Sequence, residues 1–361
     1  MRQLFFLLSL VLGTMAGHAQ VEVSETVELM SVLSRTADFE EYNMNMAGQY
    51  TQDTEAWFAP NKQHPIIPYY KELRAKYGIS HDAVMVLAIH LTIEKGRVKF
   101  VGTKSDLDQR WQEVDVEDFV QRLNAFYKDT KFHQFFDLHR SFYAEGVKAF
   151  EESVLATFHQ DWYARFYGTE PVEVFRFIIG FTNGAQNYGP SRQLPGLPKE
   201  VISIIGYWTD RRTGQLYGGT EELAKTLIHE FNHSFVNPLL DNAANTALME
   251  QAGRKLYKLS GISMKQQSYG DWQTLINESI VRAAVVLYML DYNFPYKQVV
   301  NEMSNQLCLD FNWMPELVTC LRHYASHRDA YKSLGDYYPE IARCLNQYLE
   351  HEAERVTNSL K

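Results

Sequence analysis

The sequence of 361 residues has few cysteines, no run of basic residues and no segment rich in glycine, serine or proline. Acidic residues outnumber basic ones by 44 to 35, and the net charge of −9 argues against nucleic acid as a partner. The three cysteines, Cys308, Cys320 and Cys344, lack the short spacing of a cysteine metal site. Because linkers and internal repeats are absent while the hydrophobic fraction is 45%, the sequence predicts one compact unit.

The N-terminus has the features of an export signal. A short apolar run, Leu4 to Leu12, follows Arg2, and Gly17-His18-Ala19 then supplies the small residues that precede a cleavage site. The sequence therefore predicts a signal peptide at residues 1–19, with Gln20 as the new N-terminus of a periplasmic or extracellular protein that has no membrane anchor. An uncleaved anchor is the alternative, but the run is short for one. After export two of the three cysteines could pair, and the sequence does not choose which.

The most informative segment is His229-Glu230-Phe231-Asn232-His233. Residues four apart on a helix share one face, so His229 and His233 can hold one metal ion while Glu230 reaches a water bound to it. The alternative is a pair of core histidines beside a surface glutamate.

The sequence around this motif predicts a helix. A glycine pair, Gly218-Gly219, precedes Thr220, which is suited to cap a helix start. An apolar stripe then recurs every four residues, and Asn237-Pro238 predicts the end of the helix. The stripe consists of Leu223, Leu227, Phe231 and Phe235. The motif therefore lies in the middle of a helix, where both histidines can face one metal.

A catalytic zinc site usually has three protein ligands and one open position. Glu278 is the candidate for the third ligand, because it follows Asn277 at the beginning of a second strongly apolar segment that extends to Leu290. The alternative role for Glu278 is a favourable interaction with the helix dipole. Asp241 and Asp271 are rival carboxylates, since they lie just after the first helix and just before the second.

Together, the HExxH motif and the downstream Asn277-Glu278 pair resemble the gluzincin zinc metallopeptidases, over about residues 202–290. The whole chain also resembles an uncharacterised family of secreted bacterial HExxH-domain proteins. The resemblance implies that His229, His233 and Glu278 bind Zn²⁺, that Glu230 is the general base, and that the substrate is a peptide or protein. It further implies an α+β, mostly helical zincin-like fold with a small sheet packed beside the zinc-binding helix.

The chain departs from the gluzincin pattern at two places. Many members have an aspartate four residues after the ligand glutamate, whereas this chain has Arg282 there, so the residue that orients a zinc histidine is not identified. The stretch between His233 and Glu278 is also longer than in the shortest members, and its apolar spacing from Leu248 to Leu259 predicts an inserted helix.

The hydrophobic periodicity predicts a helical N-terminal lobe, residues 20–165, and a zinc-binding part, residues 166–361, within a single unit. Helical patterns occur at Val27–Ser34, His64–Tyr77, Glu117–Tyr127 and Phe132–Phe158. The segment Arg97–Val101 is predicted to be a strand, and the apolar run Ala83–Leu91 fits either a helix or a strand. Two further β-rich runs, Val172–Ile179 and Val201–Trp208, precede the zinc helix, and the chain after Glu278 is predicted to be helical.

The strand Val201–Trp208 has two possible roles. In zinc peptidases of this type, a strand in this position often forms the edge of a sheet along the cleft, where a peptide can pair with it. The alternative is an ordinary core strand. The segment Asn187–Pro190 is expected to be either a cleft loop or a plain turn.

The chemistry also needs a donor for the developing oxyanion. The candidates lie in the C-terminal helices and reach the site only if these helices fold back over it. They are His323, His327, Tyr331, Tyr337 and Tyr338. The first two have metal-ligand spacing, but no glutamate follows the first, so we expect a surface or supporting pair rather than a second metal site.

Two functions are compatible with this sequence. One is a secreted zinc peptidase or related amide hydrolase, and the other is a non-catalytic exported protein that uses zinc structurally or binds peptides without cutting them. The presence of Glu230 favours the first, because a structural zinc needs ligands but no base.

Overall fold

The computed structural model describes residues 20–44, 47–169, 173–184, 186–209, 216–217, 220–267 and 269–360. The predicted signal peptide, residues 1–19, lies outside the described residues. The helices in the described part of the chain are α1 Glu25–Thr36, α2 Gln49–Phe58, α3 Ile66–Tyr77, α4 Asp82–Ile89, α5 Val116–Asp129, α6 Phe132–Leu138, α7 Arg140–Ser153, α8 Gln160–Tyr167, α9 Thr220–Asp241, α10 Ala243–Gln266, α11 Trp272–Asp291, α12 Tyr296–Cys308, α13 Met314–Ser326 and α14 Leu334–Ser359. The strands there are β1 Gln20–Glu22, β2 Leu91–Glu94, β3 Arg97–Phe100, β4 Val174–Gly180, β5 Ser191–Arg192, β6 Glu200–Gly206, β7 Trp208–Thr209 and β8 Leu216–Tyr217. None of these helices combines the length and the apolar character that a membrane span requires.

Most helices predicted for the N-terminal half are confirmed. The patterns at Val27–Ser34, His64–Tyr77 and Glu117–Tyr127 correspond to α1, α3 and α5. The ambiguous run Ala83–Leu91 is the helix α4 followed by the first residue of β2, and the region Phe132–Phe158 is divided between α6 and α7. Helices predominate and the sheets are small, so the fold is α+β.

One four-stranded sheet joins the start of the described chain to its middle. Its strand order is β1-β4-β6-β5, in which β1, β4 and β6 are parallel and β5 is antiparallel to β6. The first described residues therefore pair with a strand from the middle of the chain. The helix α8 also continues across the predicted division between residues 165 and 166. The N-terminal lobe and the zinc-binding part thus share one sheet.

The strand β6 is interior to this sheet. It pairs with β4 along one side, while β5 and Tyr188 pair with the other side. Of the two roles left open for Val201–Trp208, the structure excludes an open edge and supports a core strand, because residues 188–192 pair antiparallel with β6. These residues, rather than β6, form the outer edge of the sheet.

The two faces of the sheet contact different helices. The Phe231 ring of α9 stacks on Phe175 of β4, with ring centroids 3.7 Å apart, and lies 5.5 Å from Phe177. Because side chains alternate along a strand, Ile178 points to the opposite face, where it lines a cavity with Thr26 of α1. The aromatic pairs of Phe231 with Phe175 and Phe177 are of a kind that contributes about 0.5–1.5 kcal/mol beyond the area buried. The Phe231 contacts fix the rotation of α9 and so determine where Glu230 points.

The helix α9 is longer than predicted. It continues through Asn237-Pro238 to Asp241, although Pro238 has no N–H to donate to the carbonyl of Ser234. Leu240 is buried in the last turn, and this packing favours the extra residues. The chain then changes direction at Asn242, whose side chain caps the start of α10.

A buried carboxylate on α1 ties the N-terminal helices to the sheet. Glu28 is fully buried, and its Oε1 accepts a hydrogen bond of 2.7 Å from the Phe181 N–H. Its Oε2 accepts bonds of 2.8 Å from the hydroxyls of Thr182 and Tyr50. Burial raises the pKa of Glu28 above the usual 4.5, against the effect of these hydrogen bonds.

We expect Glu28→Ala to lower the free energy of unfolding by roughly 3 kcal/mol, because two buried hydroxyls and one buried N–H lose this acceptor. Chemical denaturation measures the loss, and Glu145→Ala, at an exposed position of α7, is the control that should change little. An equal, small effect for both variants would contradict a structural role of the Glu28 carboxylate.

The raised pKa of Glu28 also predicts a pH dependence. The folded chain binds this proton more tightly than the unfolded chain, so the group favours folding below the unfolded pKa, and that contribution declines as pH rises through the folded pKa. Relative to Glu28→Gln, the wild type should therefore lose stability as pH increases from about 4.5.

Candidate metal centre

The two helices α9 and α11 bring together the three predicted ligands. The ligand atoms of His229, His233 and Glu278 all lie within 4.8 Å of one another. The two histidine Nε2 atoms are 3.1 Å apart, and the Nε2 atom of His233 lies 3.3 Å from Oε1 of Glu278. The Nε2 atom of His229 lies 3.6 Å from Oε2 of Glu278. In the described part of the chain this is the single group of its kind, and neither Asp241 nor Asp271 belongs to it.

Asn232 joins α9 to both α11 and α8 at this point. The side chain of Asn232 is fully buried, and its Nδ2 donates to the carbonyl oxygen of Val281 at 3.3 Å. Its Oδ1 accepts a bond of 2.8 Å from the Tyr167 hydroxyl. Because Asn232 lies between the two histidines in sequence, its bond to Val281 holds the histidine-bearing turn against the helix that carries Glu278, and the bond from Tyr167 ties the same turn to α8.

Glu278 lies deeper in its helix than the sequence suggested. The helix α11 begins at Trp272, with Asp271 as the N-cap that accepts a bond of 2.7 Å from the Thr274 N–H. Glu278 is in the second turn and is buried, with its carboxylate directed at the two histidines. A dipole interaction is strongest in the first turn, so the ligand interpretation accounts better for its position.

Two side chains hold the Oε2 atom of Glu278. The Tyr269 hydroxyl donates to it at 3.0 Å, and Nε of Arg282 donates at 3.1 Å. The guanidinium also donates to the Tyr269 hydroxyl at 2.7 Å and to Oε1 of Gln306 at 3.0 Å. Arg282, at the position where many gluzincins have an aspartate, therefore restrains the carboxylate of the predicted third ligand instead of orienting a histidine.

A residue one turn along α9 orients the second histidine. Nδ1 of His233 lies 3.1 Å from Oδ1 of Asn237. An amide oxygen accepts only, so His233 carries its proton on Nδ1 in the neutral ring and leaves the Nε2 lone pair for a metal. This is the orienting contact that the sequence left unassigned.

The buried surroundings set the charges of the ligands. Burial lowers the pKa of His229 to about 3. Burial alone would raise the pKa of Glu278, but the hydrogen bond to His233 and the charges of His229 and Arg282 lower it to about 2. Burial likewise opposes protonation of His233, yet the hydrogen bond and charge of Glu278 raise its pKa. At neutral pH the site thus holds an unprotonated His229 and an ionised Glu278.

The carboxylate of Glu230 faces a cavity of about 410 Å³ between α9 and the edge of the sheet. The edge segment lies near this carboxylate, since a Cβ atom on Gly189 would lie 3.0 Å from Oε2 of Glu230. Burial raises the pKa of Glu230. The cavity lining is mostly polar and includes Ser191, Ser203, His233, Ser234, Asn237 and Asp241. The segment Asn187–Pro190 therefore forms part of the cleft wall.

The predicted oxyanion donors are not at this site, because α13 and α14 pack on each other. His323 stacks on His327 with ring centroids 3.9 Å apart, and both residues are exposed, which agrees with the predicted surface or supporting pair. Tyr337 donates to the carbonyl of Cys320 on α13 at 3.2 Å. Neither these three residues nor the other two candidates, Tyr331 and Tyr338, occur among the described residues that line the cavity.

Sequence reasoning missed two residues of the site, Asn237 and Tyr269, and left the role of a third, Gly189, undecided between a cleft loop and a plain turn. Asn237 follows His233 by four positions, so the helical spacing that located the histidines could also have located it. Tyr269 lies between α10 and α11, where no periodic pattern predicts which way a side chain points. Gly189 is placed beside Glu230 by the pairing of residues 188–192 with β6, a contact between distant parts of the sequence.

One family model matches most of the chain. Its description is Domain of unknown function (DUF4932), and it matches residues 19–344. This range begins next to the predicted cleavage site and includes all three residues of the metal group. No curated protein and no solved structure matches the chain.

Proposed function

The chain belongs to the DUF4932 family, and since that family has no known function, we propose from the site itself that this protein is a secreted zinc-dependent peptidase. The main support for this proposal is that the ligand atoms of His229, His233 and Glu278 lie close together, while the neighbouring Glu230 faces an open cavity. We further propose that the fold is zincin-like and the ligand set gluzincin-like, as the motif resemblance implies.

The donor set fits zinc. Two imidazole nitrogens and one carboxylate oxygen are a common set in catalytic zinc sites, which keep a fourth position open. Metal binding requires unprotonated imidazole and ionised carboxylate, and burial and charge hold His229 and Glu278 in these forms. Tyr269 and Arg282 occupy Oε2 of Glu278, so Oε1 is the oxygen that would hold the metal.

Glu230 would move the proton. Bound zinc lowers the pKa of a water molecule and polarises a substrate carbonyl. Glu230 would accept the proton of the attacking water and pass it to the amine that leaves. Its raised pKa suits both transfers, because a base with a pKa nearer the working pH can both take and return a proton. Asn237 would keep His233 oriented during the reaction.

The edge segment offers a place for an extended peptide. The backbone groups of Tyr188 and Pro190 point toward β6. The Tyr188 N–H donates to the carbonyl of Ile204, and the Pro190 carbonyl accepts a hydrogen bond from the N–H of Ile202. Backbone groups alternate along a strand, so the N–H and carbonyl of Gly189 point away from β6. A peptide that paired with this outer edge would lie beside Glu230, which favours a peptide or protein as the substrate.

The alternative is a non-catalytic zinc protein. Structural zinc sites are usually closed by four protein ligands, whereas three side chains form the group found in the described residues and the adjacent cavity is open. Incubating the mature protein with a proteome-derived peptide library, with and without chelator, tests the proposal. The peptidase should create new peptide termini that chelation abolishes, while a zinc-containing protein that leaves every peptide intact would support the alternative.

Export is a part of this proposal that can be tested by itself. We expect the exported protein to begin at Gln20, because Ala19 ends the segment with signal-peptide features. N-terminal mass spectrometry identifies the first residue, and Leu8→Arg, which interrupts the apolar run, should block processing. A wild-type protein that retains Met1 would exclude export by cleavage.

A further inference from the structure

The hairpin of α13 and α14 carries two of the three cysteines at its interface. Cys320 on α13 and Cys344 on α14 are both half-buried, whereas Cys308 on α12 is exposed. Each of these two thiols shifts the pKa of the other, lowering that of Cys320 and raising that of Cys344. Each sulfur also faces the opposite helix. Cys320 Sγ lies 3.9 Å from the carbonyl oxygen of Glu340, and Cys344 Sγ lies 3.6 Å from the carbonyl oxygen of Glu316. Because each carbonyl lies one turn before the other cysteine, the contact is reciprocal.

From this geometry we infer that Cys320 and Cys344 form a disulfide bond that joins α13 to α14, while Cys308 stays a free thiol. The two cysteines lie on facing turns of packed helices, so side-chain rotations can bring their sulfur atoms to the bond length of about 2.05 Å. Spacing along the sequence could not select this pair, because it carries no information on which helices pack together. The bond fixes the early part of α14 to the helix that packs on α11.

The reaction needs an oxidant, which is the disulfide of an oxidoreductase or of glutathione. The Cys320 thiolate attacks that disulfide, forms a mixed disulfide and releases one thiol of the oxidant. The Cys344 thiolate then attacks Cys320 Sγ, and the second thiol of the oxidant leaves. Two cysteine protons pass to the solvent or the leaving thiolates, and two electrons reduce the oxidant. Hydrogen bonding from Cys344 lowers the pKa of Cys320 and raises that of Cys344, which favours Cys320 as the first nucleophile.

The test is peptide mapping of the full mature protein after incubation in glutathione buffer with the oxidised form in excess. Free thiols are alkylated, and the chain is digested without reduction. We expect a cross-linked peptide that contains Cys320 and Cys344, an intact mass about 2 Da lower than that of the reduced protein, and alkylation of Cys308. A bond from Cys308 to either of the others, or three alkylated cysteines, would overturn the inference.

Three variants make the result independent of a single substitution. Cys308→Ser should keep the bond and the lower mass, because it removes only the exposed thiol. Cys320→Ser and Cys344→Ser should each leave the remaining partner open to alkylation. Retention of an intramolecular disulfide in either of these two variants contradicts the pairing, and so does loss of the bond in Cys308→Ser.

Discussion

Glu230→Gln is expected to retain zinc and to lose about a hundredfold or more in peptide turnover, the usual scale for a positioned acid–base group. Glutamine has nearly the shape of glutamate, and the three proposed ligands are untouched. It cannot accept the proton of the attacking water, so only the proton transfer should fail. Zinc content by elemental analysis and turnover of a cleaved library peptide, measured on the same preparation, separate binding from chemistry.

The matched control for this variant is Asp241→Asn. Asp241 is an exposed carboxylate in the lining of the same cavity, and it lies outside the metal group. The control removes one negative charge from the cavity, as Glu230→Gln does, but should leave turnover within a few-fold of the wild type, since Asp241 has no proposed part in the reaction. If Glu230→Gln proved as active as the control, Glu230 would not be the base.

Glu278→Ala is expected to weaken zinc binding by more than the roughly ten- to hundredfold that loss of a supporting residue costs. The substitution removes the only carboxylate of the group and leaves Arg282 without its ion-pair partner. Because an unpaired buried charge also destabilises the fold, Glu278→Gln is the second variant. Its amide oxygen can still accept from Tyr269 and Arg282, whereas its neutral side chain is a poorer zinc ligand.

Two rival carboxylates supply the controls for the ligand assignment. Asp271→Ala removes the N-cap of α11 and should cost about 1 kcal/mol of stability, but it should keep its zinc. Asp241→Ala should keep zinc as well. Metal content after mild chelation compares the four variants. A Glu278→Ala protein that holds zinc as firmly as the wild type would exclude the gluzincin-like ligand set and leave the HExxH helix with another third ligand.

The local part of the site was predictable from the sequence. The spacing of four residues places His229 and His233 on one face of a helix whatever surrounds it, and the structure brings their Nε2 atoms to 3.1 Å. Prediction of Glu278 as the third ligand needed two further observations, an apolar second helix and the resemblance to a known motif. The structure places its carboxylate beside both histidines.

The parts that failed depend on contacts between distant segments. The strand β6 has the hydrophobic pattern of either an edge or a core strand, and only the pairing of residues 188–192 decides between them. The apolar residues around Arg282 predict a helix. They do not predict that the guanidinium of Arg282 points toward Glu278 and Tyr269. Pro238 was expected to end the helix, but α9 continues past it because burial of Leu240 favours another turn of helix.

The most direct test is to titrate zinc into the metal-free protein and to measure peptide turnover at each step. One metal group in the described residues predicts that turnover rises with zinc to one equivalent per chain and then stops rising. Glu230→Gln should bind the same equivalent without gaining activity. Full turnover in the metal-free protein, or no turnover of any library peptide with one zinc bound, would contradict a zinc-dependent peptidase.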